Sequence, residues 1–304
     1  MEKYLETVIN YHKYQTLHGT VANYIPGLSK ANREHLGICL INEDGCFSAG
    51  DAEVKFTIQS VSKPLSLMLA ILDNGIEYVF SKVGMEPTGD AFNSIVKLET
   101  ATTMKKPFNP MINAGAIEVC SMIKGETAEL RFGRILDFFR KISENPNLDI
   151  NQEIYEGEKL TGNRNRAMGY LLKAESLIEG DVEDALDIYF KQCSIEVTAT
   201  DLAKFSMFLA RNGVTSTGER VVSEHVCKIV KTLMVTCGMY DGSGEYAVKV
   251  GIPSKSGVGG GIMAVVPGKM GIGVFGPSLD TKGNSIAGVS VLADLSSRLD
   301  LSIF

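Results

Sequence analysis

Two lysines and a serine carry the most chemistry in this chain. Ser60 and Lys63 lie in Phe56-Thr57-Ile58-Gln59-Ser60-Val61-Ser62-Lys63, a Ser-x-x-Lys pair at the start of a predicted helix. Far downstream comes Lys255-Ser256-Gly257-Val258-Gly259-Gly260-Gly261. A serine hydroxyl is a weak nucleophile until a base takes its proton. Three residues apart at a helix start, Ser60 and Lys63 share one face, which sets an amine beside the hydroxyl. Burial or a neighbouring cation lowers a lysine's pKa, and Lys255 is placed in sequence to be that cation. The chemistry this predicts is attack on an amide or lactam carbonyl through a serine ester. A Ser-His-Asp triad is not indicated, because there is no Gly-x-Ser-x-Gly elbow and the chain has only 4 histidines.

Context separates this pair from two others of the same spacing, Ser94/Lys97 and Ser121/Lys124. Ser60 follows a strand-like stretch and precedes the apolar run from Pro64 to Leu72, which ends at Asn74-Gly75. Ser62 is expected to cap that helix, with Pro64 in its first turn and Gly75 at its stop. Ser121 falls inside an apolar helical run, and no comparable helix follows Ser94. An oxyanion hole needs two backbone N–H groups aimed at the developing charge. The N–H of Ser60 is one, and the glycine-rich stretch after Lys255 is expected to bring the second. Gly271-Ile272-Gly273-Val274-Phe275-Gly276 matches a dinucleotide fingerprint, but Pro277 follows and no helix opens there, so these glycines are read as packing residues.

These residues need a scaffold. The chain has 304 residues, 44% hydrophobic and 22% charged, enough for one large or two smaller folded units. Residues 1–18 read as an amphipathic helix, 36–41 as a strand, Glu43-Asp44-Gly45 as a hairpin turn and 46–50 as the return, with a third strand at 55–59. Helical periodicity covers 65–73, 112–123, 130–142, 165–173, 182–190 and 200–212. Strand character returns at 246–252, 262–267 and 270–275, before a last helix at 284–299. With strands at both ends and helices between, the expected fold is mixed α/β (α+β): an antiparallel sheet built from both termini and flanked by helices, plus an inserted all-helical lobe. Residues 1–59 and 236–304 would form the sheet lobe and 60–235 the helical lobe, with the site at their seam.

Composition narrows the partners. A net charge of -6 and the absence of a basic, aromatic-interleaved stretch argue against nucleic acid. No apolar run has the length of a membrane span, and the first residues lack an apolar signal core. The 6 scattered cysteines, with no Cys-x-x-Cys, read as free thiols in a reducing cytoplasm. The histidines have no metal-ligand spacing, so no metal is expected.

Five segments in order are similar to the serine-dependent glutaminase family: Tyr24-Ile25-Pro26, Gln59-Ser60-Val61-Ser62-Lys63, Asn109-Pro110-Met111-Ile112-Asn113-Ala114-Gly115-Ala116, Cys237-Gly238-Met239-Tyr240 and Lys255-Ser256-Gly257-Val258-Gly259-Gly260-Gly261. The resemblance implies a β-lactamase/penicillin-binding-protein-like fold, hydrolysis of L-glutamine to L-glutamate and ammonia, no cofactor, and a homo-oligomer, dimer or tetramer. It also implies that Ser60 is the nucleophile, that Lys63 is its base, and that Tyr240 shares proton transfer to the leaving ammonia. Asn113, Glu158, Asn165, Tyr189 and Tyr240 would line the glutamine pocket, with Tyr24 near its mouth and Val258 offering the second oxyanion N–H. Asn163 competes locally with Asn165. The residue types suit the ligand: a carboxylate for its ammonium, amides and phenols for its carboxylate and side-chain amide. A β-lactamase or D,D-peptidase is the rival reading, and neither Ser-Asp-Asn nor Glu-x-x-Leu-Asn is evident. A binding protein that lost the chemistry is the other, against which stand intact Ser60, Lys63 and Tyr240.

Overall fold

Asn42 turns the chain at its first hairpin. Its Oδ1 accepts from the N–H groups of Asp44 and Gly45, which ends β1 (Gly37–Asn42) and opens β2 (Gly45–Gly50). The computed structural model describes residues 1–89, 93–94 and 106–304. The hairpin joins three strands from the other end of the chain, β5 (Ser254–Ser256), β6 (Gly261–Val266) and β7 (Met270–Phe275). Their order is β2-β1-β7-β6-β5, antiparallel throughout. The sheet is thus built from both ends of the chain, as expected.

Alternation along the strands divides the core. Ile262, Ala264 and Val266 on β6 and Ile272 and Val274 on β7 pack with the helices Glu2–His12 and Ile286–Leu299. Met263, Val265 and Phe275 join the larger core of the helical middle, with Phe139, Phe190 and Phe205. Helix Ala199–Ala210, held at its start by a capping box between Thr198 and Asp201, lies on this second face. Gly273 permits the approach: a Cβ there would stand 2.0 Å from the Ala199 carbonyl oxygen. The apparent dinucleotide fingerprint is therefore a seat for a helix.

Several expectations are corrected. Residues 246–252 are not a strand: Ser243–Lys249 is helical. Tyr246 and Val250, four apart, both reach the core while Val248 is 90% exposed, so the alternating sequence conceals a helical face. The third strand is short, β3 (Phe56–Thr57), and pairs with β4 (Glu196–Val197) rather than with the main sheet. The first helix ends at His12 and continues as a 3-10 turn, Lys13–His18. Helices Ile76–Lys82, Gln152–Thr161 and Glu224–Cys237 lie outside the ranges read from periodicity. Lys97 lies outside the described residues.

Candidate active site

Ser60 sits in a 3-10 turn, Gln59–Ser62, that runs directly into helix Lys63–Asn74. The Ile58 N–H donates to Ile195 O at 2.8 Å, and β3 pairs with β4, so the turn is fastened to the chain just after helix Val182–Cys193. Gln59 adopts φ 49, a left-handed conformation that costs about 1–3 kcal/mol for a residue with a side chain. Ser62 does not cap the helix as expected. Its backbone is already helical, and its hydroxyl donates to Gln59 O at 2.7 Å, closing the tight turn instead.

Lys63 is buried to 1% exposure and makes no ion pair among the described residues. Its Nζ donates to Asn113 Oδ1 at 2.7 Å and to Met111 O at 3.2 Å. These acceptors are set by Asn109, whose Oδ1 takes the N–H groups of Met111 and Ile112 and turns the chain into helix Asn113–Ser121. Burial pulls the Lys63 amine down to about 8, with more distant Cys193, Glu158 and Cys120 acting the other way. A neutral lysine has two N–H donors and one lone pair. Both donors are engaged by Asn113 and Met111, which leaves the lone pair to accept a proton. Asn113 in turn donates from Nδ2 to Asn165 Oδ1 at 3.1 Å, so the amide that holds the lysine is itself held.

Tyr240 approaches Ser60 from the other side. It has φ 56, the second left-handed backbone at this point. Burial raises its phenol above the ordinary range, while the Ser60 side chain and the Val258 N–H act to lower it. Val258 is brought there by close packing: a Cβ on Gly259 would lie 2.4 Å from Thr57 O. Lys255 is fully buried, with its Nζ 4.5 Å from the centre of the Tyr240 ring and donating to Gly238 O and Ser256 O. Burial, then the Lys63 charge, hold Lys255 well below the usual lysine value.

Tyr24, Ser60, Asn113, Glu158, Asn165 and Tyr189 line one cavity of about 260 Å³. Lys63, Tyr240 and Val258 are not among its lining residues. Lys63 donates to one lining residue, Asn113. Tyr240 and Val258 pack in a small cluster with Ile25 and Leu279, and Val258 lines a neighbouring hollow of about 410 Å³ with Phe56 and Gly259. Glu158, on helix Gln152–Thr161, is buried, and its carboxyl is pushed up to about 7 by that burial, opposed by the Gln59 side chain and by Lys63. Asn165, on helix Asn163–Ala174, faces the cavity, and its competitor Asn163 does not. The Tyr24 ring is 53% exposed, yet its phenol is well above the ordinary value because its hydroxyl is buried near Glu158 and Tyr240. Gln59, Asn93, Thr161, Gly162 and Arg164 also line the cavity without having been singled out from sequence. Arg164 Nε donates to Asn93 O at 2.6 Å. A larger open hollow, about 800 Å³, beside Lys228 and Ile303 contains none of these residues.

The arrangement is a serine on a small polar cavity that has one carboxyl, Glu158, with a buried phenol interacting with the serine and a buried amine three residues along the chain. The family model described as Glutaminase matches residues 19–304. The chain belongs to the glutaminase family. It is 61% identical over 305 residues to a glutaminase of Fusobacterium nucleatum and 58% identical over 306 residues to glutaminase 2 of Clostridium perfringens, with 100% of each chain covered in both pairs. Among solved structures it is similar to a Bacillus subtilis glutaminase in covalent complex with 5-oxo-L-norleucine, formed by reaction with 6-diazo-5-oxo-L-norleucine. There the TM-score is 0.91 and the identity 39%, over 100% of this chain and 99% of that one. The fold of this glutaminase-family chain is accordingly the β-lactamase-like plan expected from sequence, and the chain is an amide hydrolase.

Proposed function

We propose that the protein hydrolyses L-glutamine to L-glutamate and ammonia through a Ser60 ester, with Lys63 as the base. The observation that carries this reading is the coordination of Lys63. Its two donated hydrogen bonds fit a neutral amine whose lone pair remains available one turn from Ser60. Lys63 Nζ takes the Ser60 proton as Oγ attacks the side-chain carbonyl carbon. The C–O bond forms, and the oxyanion is held by the N–H groups of Ser60 and Val258. The C–N bond then breaks, and the proton passes through Lys63 and Tyr240 to the departing ammonia. Water, deprotonated by the same base, adds to the ester, and the Ser60–glutamyl bond breaks to release glutamate. Glu158 pairs with the substrate ammonium, while Asn113, Asn165 and Tyr189 hydrogen-bond its polar groups, with Tyr24 at the mouth.

The covalent adduct of the similar Bacillus protein supports a nucleophile in this cavity. In the same reading, residues 1–59 with 236–304 and residues 60–235 are two lobes with the cavity at their seam. The protein acts in the cytoplasm as a homo-oligomer, with no cofactor. Ammonia release from L-glutamine by wild type and by Ser60→Ala tests the proposal. Release by wild type alone is expected, with the variant still showing glutamine-dependent thermal stabilisation. Turnover near wild type in Ser60→Ala overturns the assignment of the nucleophile.

A further inference from the structure

Cys39 and Cys46 lie on the facing strands β1 and β2 and are not among the residues that line the cavity. The register sets Cys39 opposite Ser48 and Ile41 opposite Cys46, so the two cysteines are diagonal neighbours on one face of the hairpin. Their Sγ atoms are 3.3 Å apart. Cys46 is exposed, whereas Cys39 and the other four cysteines are buried. The pair therefore joins the solvent-facing thiol of the chain to a protected thiol already in contact with it. Burial, with the contact to Cys46 adding, pushes the Cys39 thiol up, and either sulfur can be the donor in the contact between them. A disulfide needs an S–S distance of about 2.05 Å and Cα atoms within about 7 Å, whereas diagonal cross-strand neighbours stand about 7–8 Å apart, so closure requires roughly 1.2 Å of sulfur approach together with a shift of the backbone. β2 is an edge strand, paired on one side only, and can supply that movement.

We propose that Cys39 and Cys46 form a thiol-oxidation site that a hydroperoxide converts to an intrachain disulfide across the β1–β2 hairpin. The Cys46 sulfur attacks the hydroperoxide, the O–O bond breaks, and water or an alcohol leaves with the Cys46 thiol proton. Cys46 is now a sulfenic acid. The Cys39 sulfur attacks the sulfenic sulfur, the S–S bond forms and the S–O bond breaks. The Cys39 proton leaves with the hydroxyl as a second water. Two thiols lose two electrons in total, and the hydroperoxide gains them. An external dithiol reverses the change by thiol–disulfide exchange.

The test uses the whole purified protein, reduced, then treated with hydrogen peroxide, alkylated under denaturing conditions and digested. The expected products are a peptide pair linked through Cys39 and Cys46 and a thiol titre two below the 6 of the sequence, both restored by dithiothreitol. Cys46→Ser should give no linked peptide while keeping the wild-type melting temperature. Cys39→Ser should leave Cys46 as a sulfenic acid that dimedone traps. Three results in wild type overturn the proposal: Cys46 linked to a second chain, Cys46 oxidised with Cys39 still alkylated, or both thiols unreacted when exposed methionines are already sulfoxides.

Discussion

Replacing Asn113 by Asp tests the role of Lys63 more sharply than removing either residue. The substitution keeps the shape of the side chain and puts a carboxylate oxygen where Asn113 Oδ1 now accepts from Lys63 Nζ at 2.7 Å. An opposite charge at that distance typically shifts a pKa by roughly 1–3 units, and two units correspond to about 3 kcal/mol. That favours the protonated amine and raises its pKa by roughly two units. Lys63, now at about 8, would move well above neutrality. At pH 7.5 the neutral fraction would fall from about a quarter to about three thousandths, a loss of about 10²-fold in usable base. The assay is kcat/KM for glutamine hydrolysis between pH 6 and 10, wild type beside Asn113→Asp. The wild-type profile should rise with pH through about 8, because the amine must lose its proton to act. The variant should be most impaired near neutrality and recover with increasing pH. A deficit of constant size across the whole range would refute the argument, since Asn113 would then serve the substrate alone and not the base.

Four further outcomes are expected. Lys63→Arg keeps the charge but cannot deprotonate, so turnover should drop by about 10²–10⁴-fold, and a variant with wild-type kcat would remove Lys63 as the base. Ser60→Ala should release no ammonia while still being stabilised by glutamine in a thermal melt. Glu118 is fully buried, with neither carboxyl oxygen partnered among the described residues, and burial pushes it up to about 7. The folded state thus retains a proton that the unfolded chain sheds, so this group lowers stability as pH rises from about 4.5 to about 7. Glu118→Gln should gain up to about 3 kcal/mol in urea unfolding at pH 8 and little at pH 4, and equal effects at both would contradict the titration. Gly273→Ala should cost about 1–3 kcal/mol in thermal unfolding, because its Cβ would strike the Ala199 carbonyl oxygen, and an unchanged melting temperature would show that helix Ala199–Ala210 can shift freely.

What could be read from sequence follows the range of the interactions involved. The sheet was legible because alternation is a local signal, and strands at both ends with helices between leave few arrangements that bury every face. Tyr246 to Ile252 misled because a half-exposed short helix and a strand both place large residues at alternate positions. The two differ only in that Tyr246 and Val250 face inward together, which depends on tertiary packing. Helix Gln152–Thr161 has few buried apolar residues, Ile154 and Tyr155, and its third buried position is the carboxylate Glu158. A segment shaped to present a charge to a cavity gives a weak hydrophobic period. Helix Glu224–Cys237, by contrast, has a stripe of Val226, Val230, Leu233 and Cys237 at helical spacing and a Ser223 cap, so its pattern was there to be read.

The candidate site shows the same division at higher stakes. The Ser60–Lys63 spacing is a helix-turn signal, visible in eight residues. The features that would make this pair reactive are not local. Asn113, bonded to Asn165, accepts from Lys63, and Gly259 lets the chain beside Val258 pack on Thr57, three residues before Ser60. Tyr240 faces the same hydroxyl from a strained backbone. Each contact joins positions separated by between 48 and 202 residues in the chain, and none has a spacing that a motif could encode. The strain at Gln59 and Tyr240 adds a physical reason for their joint placement. Two costly left-handed residues beside one serine persist only where the surrounding fold holds them, and here both meet the glycine-rich turn that follows β5, Gln59 at Gly259 and Tyr240 at the Val258 N–H. Lys255 has no carboxylate partner among the described residues, only backbone carbonyls and the face of Tyr240. Burial holds its amine well below the usual lysine value, so a charge on it is unfavourable at rest. That charge becomes favourable where negative charge develops beside Ser60 during the proposed reaction.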